Sequence, residues 1–195
     1  FAAEHSIPLH VAKGCAHCFH TPEALRIRKN WRMAVRRTIR QATETDVPAI
    51  RALYAAAKTM PDTTWNAYYP GDEEIAADLA SGGLYVWEDA DAVVGAVSVA
   101  ETDALDALAV FAGDQCTHRS ISRLVIDPVQ QGHGYAAYFL TELFARLHRE
   151  GVEEIRLLAA KCNRAANATY TQLGFQYLGT CTMYGVDFHV CRKTL

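Results

Sequence analysis

From about residue 34 onward, apolar positions recur at strand spacing and helix spacing by turns, and the boundaries between the two rhythms are marked by Gly, Pro and Asp. Residues 34–41 read as a first strand. Ile50, Leu53, Tyr54 and Ala57 then fall on one face of a helix opened by Asp46 as N-cap, with Pro48 in the first turn where its missing N–H is harmless. A loop of turn formers and aromatics at 60–69 leads through Pro70 and Gly71 to a second helix beginning near Asp72. It buries Ile75 and Leu79 and ends at Gly82-Gly83. Residues 84–87 and 93–100 predict a hairpin around the acidic turn 88–91, and 101–115, with little pattern, predict a mobile connection. After a strand ending at Ile126, the segment 134–150 carries Ala136, Phe139, Leu140, Leu143, Phe144 and Leu147 on one stripe, stopped by Gly151. A short buried strand at 155–159, a helix at 165–173 closed by Gly174, and a hairpin of 175–182 with 186–192 complete the chain.

The segment 121–138 changes the picture from fold to chemistry. An apolar strand runs into a glycine-rich turn that opens a helix, which is an arrangement suited to a pyrophosphate. Gly132, Gly134 and Ala136 keep Cβ bulk away from an approaching anion, and the N–H groups and dipole of the first helical turn attract it. Within it, Gln131-x-x-Gly134-x-Ala136 resembles the acyl-CoA-binding signature of the GCN5-related N-acetyltransferases, with Leu124, Ile126 and Pro128 at that family's upstream spacing. A second match follows in order, Asn163-x-x-Ala166-x-x-x-Tyr170-x-x-Leu173-Gly174-Phe175, and the resemblance extends more loosely from about Ile39 to the C-terminus.

The resemblance implies an α/β (α+β) fold, a mixed and mostly antiparallel sheet flanked by helices and splayed between its fourth and fifth strands, near Ile126 and Ala159, to admit acetyl-CoA. It implies an N-acetyltransferase that moves acetyl from acetyl-CoA to a primary amine by direct attack in a ternary complex. A non-catalytic CoA-binding sensor of the same fold is the alternative. Leu124, Val125 and Ile126 would pair with the pantetheine arm, Gln131, Gly132, His133, Gly134, Tyr135 and Ala136 would hold the pyrophosphate, and Asn163 would contact the arm or simply cap its helix. His133 stands where the family usually has Arg or Lys, and a mostly neutral His brings less charge to the phosphates.

Tyr170 matches the tyrosine that protonates the departing thiolate in many members, against the simpler reading of a core residue. Some members carry a base glutamate where this chain has Ser120. His118 shares a strand face with Ser120 and Ser122 and becomes the candidate base, equally readable as a surface His, with Glu101 and Asp187 as alternatives. The acceptor is expected between Trp65, Tyr68 and Tyr69 on one side and Tyr184, Asp187 and Phe188 on the other, an aromatic wall with nearby acid that suits an ammonium. A small-molecule amine is the first expectation and a peptide or protein amine the second.

Composition bounds the partners. Of 195 residues half are apolar, enough for one sizeable core. The formal charge of −3 conceals an asymmetry, since residues 33–195 hold 14 basic and 20 acidic side chains. That acidic body argues against nucleic acid as a partner. No apolar run nears the roughly 18 residues that cross a bilayer, so no membrane partner is expected. The six cysteines are too scattered for a disulfide framework and are read as thiols of a cytoplasmic, bacterial protein, with a homodimer left open. Residues 1–32, with four of the eight histidines, read as an N-terminal extension to a domain of residues 33–195. Cys15, Cys18, His17 and His20 invite zinc, but one C-x-x-C without a second pair is weak, and no metal is expected. The basic run 26–37 reads as a solvated face.

Overall fold

The computed structural model describes residues 37–195, so the expected start at Met33, the extension 1–32 with its Cys/His group, and nearly all of the basic run lie outside the described residues. Seven strands form one sheet: β1 (Arg37–Gln41), β2 (Leu84–Asp89), β3 (Ala92–Ala100), β4 (His118–Ile126), β5 (Glu154–Ala160), β6 (Gln176–Met183) and β7 (Val186–Thr194). Their spatial order is β1-β2-β3-β4-β5-β7-β6, with β4 and β5 parallel and every other neighbouring pair antiparallel.

Helices cover both faces. On one, α1 (Val47–Lys58) and α2 (Asp72–Ala80) set Ile50, Leu53, Tyr54 and Ile75 against Leu84, Val86, Ala96 and Val125. On the other, α3 (Tyr135–Arg149) and α4 (Arg164–Gln172) pack with Trp87, Val97, Val99, Ile121 and Ile155. The double cover explains why β3 reads A-V-V-G-A-V-S-V-A without apolar–polar alternation: Val94, Val97 and Val99 serve the core beneath α3, and Val93 and Ala96 the core beneath α1 and α2. The stripe predicted for 134–150 is the buried face of α3, with Phe139, Leu140 and Leu143 fully buried.

Two expectations change. The hairpin turn is the two-residue step Ala90-Asp91, at φ 50 and 65, so β2 runs on through Glu88 and Asp89, positions assigned to the acidic turn, and β3 begins one residue early, at Ala92. The segment 101–115, expected as a mobile connection, holds two short turns, Ala104–Ala107 and Ala109–Phe111, that bury Leu105 and Phe111 against Val190. Two buried residues with none buried between them make no repeating pattern, so the sequence does not reveal them.

The parallel pair is short. His118, Arg119 and Ser120 pair with Glu154, Ile155 and Arg156, and there the ladder stops, although β4 continues to Ile126 and β5 to Ala160. The remaining strand lengths form the expected splay.

Candidate active site

The turn at the open end of β4 is built around missing partners. Gly132 and Gly134 sit at φ +79 and +76, in the left-handed region that costs other residues free energy, and neither would meet an atom within 4 Å through an added Cβ. Conformation and open space, not crowding, make glycine the residue here. Among the described residues, the backbone N–H groups of Gly132, His133, Gly134, Tyr135, Ala136 and Ala137 find no acceptor, and the first turn of α3 carries no acidic side chain to repel an anion. A phosphate or pyrophosphate fits this cradle on both counts. Gln131 turns its side chain inward, Nε2 donating to the Ile126 carbonyl at 3.1 Å, and so fixes the turn to the strand rather than reaching out. His133 is exposed, its ring 5.8 Å from that of Tyr135.

Between the turn and the paired end, β4 holds an extra residue. Ala96 and Ser98 of β3 face Val125 and Ser122, so two steps on one strand oppose three on the other, and Arg123 in the bulge has φ 53. Its guanidinium is mostly buried against Asp78 of α2, with Nη2 to Oδ1 at 2.7 Å and Nε to Oδ2 at 3.0 Å. Nε also meets Ser98 Oγ at 3.1 Å and Nη1 the Tyr69 hydroxyl at 3.2 Å. Burial opposes the charge of Arg123, yet the hydrogen bonds it donates to Asp78 and Tyr69 prevail and leave it firmly protonated. This group went unread in the sequence; an arginine inside the apolar run I-S-R-L-V-I was its signal.

The proposed proton carriers fare differently. Tyr170, near the end of α4, is 8% exposed, and burial pushes its phenol well above the ordinary value, so it stays protonated through the neutral range. Its ring packs edge-on against Phe175 at 5.4 Å. Asn163 is the N-cap of α4, Oδ1 accepting from the Ala166 amide at 3.0 Å, which realises the capping reading and leaves Nδ2 as its only donor for a ligand. His118 lies at the closed end of β4. Nε2 is 3.0 Å from Asp106 Oδ1, an ion-pair distance without hydrogen-bond alignment, and Nδ1 is 3.4 Å from the Cys116 carbonyl. Glu101 forms an exposed ion pair with Arg119 at 2.9 Å. Ser120, where the strands part, is 1% exposed with a hydroxyl that has no partner.

Of the acceptor residues, Trp65 turns into the core beside Tyr54, ring centroids 5.3 Å apart, whereas Tyr68 and Tyr184 are 90% and 83% exposed. Two contacts gather the walls. Cys162 Sγ, just past β5, lies 3.8 Å from the Asp62 carbonyl in the loop, and the Lys161 amide donates to the Asp187 carbonyl at 2.9 Å. The loop and the β6–β7 hairpin thus meet at the end of β5, and Phe188 pairs with Ala160 there. The Asp187 carboxylate accepts from Thr182 Oγ1 at 2.6 Å.

A cavity of about 490 Å³ lies elsewhere: it is lined by Ala42, Val47, Arg51, Asp72, Ile75 and Leu79, beside β1, which two strands separate from β4. Among the described residues no group of three or more His, Cys, Asp or Glu is arranged to hold a metal ion, and no helix is long and apolar enough to cross a membrane.

Residues 47–175, about two thirds of the chain, match the family described as Acetyltransferase (GNAT) family. A GNAT-family acetyltransferase of Streptococcus agalactiae 2603 superimposes with a TM-score of 0.70 at 20% identity, covering 82% of this chain and 95% of that one. The ribosomal-protein-alanine N-acetyltransferase of Brucella melitensis gives 0.63 at 23% identity over 81% and 99% of the two chains. The protein yncA of Salmonella typhimurium, solved with its cofactor acetyl-CoA, gives 0.63 at 20% identity over 82% and 94%. A search of the curated proteins matches none.

Proposed function

The chain belongs to the GNAT acetyltransferase family, and from that premise we propose that it is an N-acetyltransferase acting on a primary amine, a small molecule first and a peptide or protein amine second. The observation that carries the reading is the union of six unpartnered amides at Gly132–Ala137 with a parallel strand pair that stops at Ser120. Acetyl-CoA supplies the acetyl group as a thioester, from which the acceptor nitrogen displaces the CoA thiolate.

The chain's own residues divide the remaining work. The amides of the turn and the positive end of α3 hold the pyrophosphate, while the edge of Leu124, Val125 and Ile126 that has no partner on the β5 side pairs with the amide-bearing arm. Tyr170, kept protonated by burial, gives its proton to the leaving sulfur. The ammonium proton of the acceptor passes by way of water and the partnerless Ser120 hydroxyl toward His118, two residues along the same strand face. Tyr68, Tyr69, Asp187 and Phe188 border the acceptor, with Trp65 behind them. The same reading places the protein in the cytoplasm; Cys116, Cys162, Cys181 and Cys191 are free thiols.

Thiol release from acetyl-CoA across a panel of amines, with Tyr170→Phe alongside, tests this. Turnover with at least one amine, lowered in kcat roughly 100-fold by Tyr170→Phe at unchanged acetyl-CoA affinity, is expected. The sensor reading is favoured by Ser120 in place of a carboxylate, and acetyl-CoA that stabilises the fold without thiol release to any amine would establish it instead.

A further inference from the structure

The loop 59–71 and the bulged strand meet at one buried group that the transfer chemistry does not use. Resting on the reading above, we infer that Arg123 is a positioning residue that latches the acceptor loop to the cofactor strand, so that filling the splay orders the loop.

The guanidinium is committed on one side to the Asp78 carboxylate, a two-point contact that fixes its plane, and only Nη1 reaches outward, to the Tyr69 hydroxyl at 3.2 Å. Seven positions before Asp72 the same loop is seated a second time: the Trp65 ring meets that of Tyr54 of α1 edge-on, 5.3 Å between centroids, and the hydroxyl of this buried tyrosine, without a partner, lies near Arg123, Asp78 and Tyr69.

The loop is therefore held at two points, Tyr69 through Arg123 and Trp65 through Tyr54, and between them Tyr68 is left 90% exposed toward the acceptor side. Burial raises the Tyr54 phenol to about 12, so it keeps its proton beside Arg123 and Asp78. The coupling follows from where Arg123 sits. Its backbone belongs to the part of β4 that has no partner on the β5 side, and a ligand pairing there restrains the same residue that holds Tyr69.

Hydrogen exchange of the full chain with and without acetyl-CoA tests this in wild type, Tyr69→Phe and Tyr68→Phe, variants that each remove one hydroxyl near the surface. In wild type and Tyr68→Phe, acetyl-CoA is expected to slow exchange at 131–137 and, by about fivefold or more, at 60–69. In Tyr69→Phe the response at 131–137 persists and that at 60–69 is lost. A loop that ignores acetyl-CoA in wild type, or still responds in Tyr69→Phe, overturns the latch and leaves the cofactor reading standing. No response at 131–137 in wild type overturns both.

Discussion

The two ends of the β4–β5 pair use the same backbone in opposite ways. At the closed end, Arg156 is 3% exposed and bonds Glu154 at 2.8 Å and Asp106 and Asp114 at 3.1 Å each, while its guanidinium stacks 4.1 Å from the centre of the Phe111 ring. Each nitrogen of that guanidinium finds a carboxylate within the chain. At the open end, six amides of the turn find none, and the strand edge lies bare past Ser120. A protein can leave such groups unpaired where water or a ligand reaches them, so the incomplete end is the one with capacity to bind.

Breaking the closed end should have the largest effect. Arg156→Met removes one cation and leaves three carboxylates together, an expected loss of about 4 kcal/mol of stability, measured by urea unfolding. Acetyl-CoA affinity of the folded protein should be unchanged, because the turn is untouched. Next, Gly134→Val forces a side chain into the left-handed region and into the anion's space. The stabilisation of about 2.7 kcal/mol expected of wild type at 100 times the dissociation constant should vanish, read as a lost thermal shift with acetyl-CoA.

The smallest test is by pH. Burial works against the charge of Asp106, but the hydrogen bond from the Asp103 amide, the His118 ring 3.0 Å away and the hydrogen bond from Arg156 hold its carboxyl below the usual value. A depressed carboxyl contributes stability that is present above the unfolded value of about 3.9 and lost as pH falls through the folded one. Asp106→Asn should therefore flatten the acid limb of stability below about pH 4, by on the order of 1 kcal/mol. An unchanged limb would remove Asp106 from the closed end's support.

Much of this was legible because it is local. The stripe of α3, the Gly-rich turn and the order of strands follow from residues near one another in sequence, and the bounds of α3 and α4 fall within a residue or two of those read from pattern. Asp46 shows the limit: it stands at the start of α1 as expected, but its carboxylate serves Arg40 and the Thr43 amide instead of the helix's own amides. Arg123 with Asp78, and Arg156 with Asp114, are joined across 45 and 42 residues and leave no periodic trace. His118 looked available from strand alternation alone, and only the packed segment 101–117 reveals what it faces.

The extra residue in β4 also acts as a change of phase. Ile121 packs in the core beneath α3, yet Val125, an even number of residues later, packs beneath α1 and α2, and Ile126 returns to the α3 side. One strand thereby serves both cores out of step with itself. Deleting Arg123 would restore plain alternation, with Val125 and Ile126 still turned toward their present layers. The extra residue therefore serves neither core but the side chain it carries, and a strand shortened by that one residue should keep the fold while losing its hold on Asp78 and Tyr69.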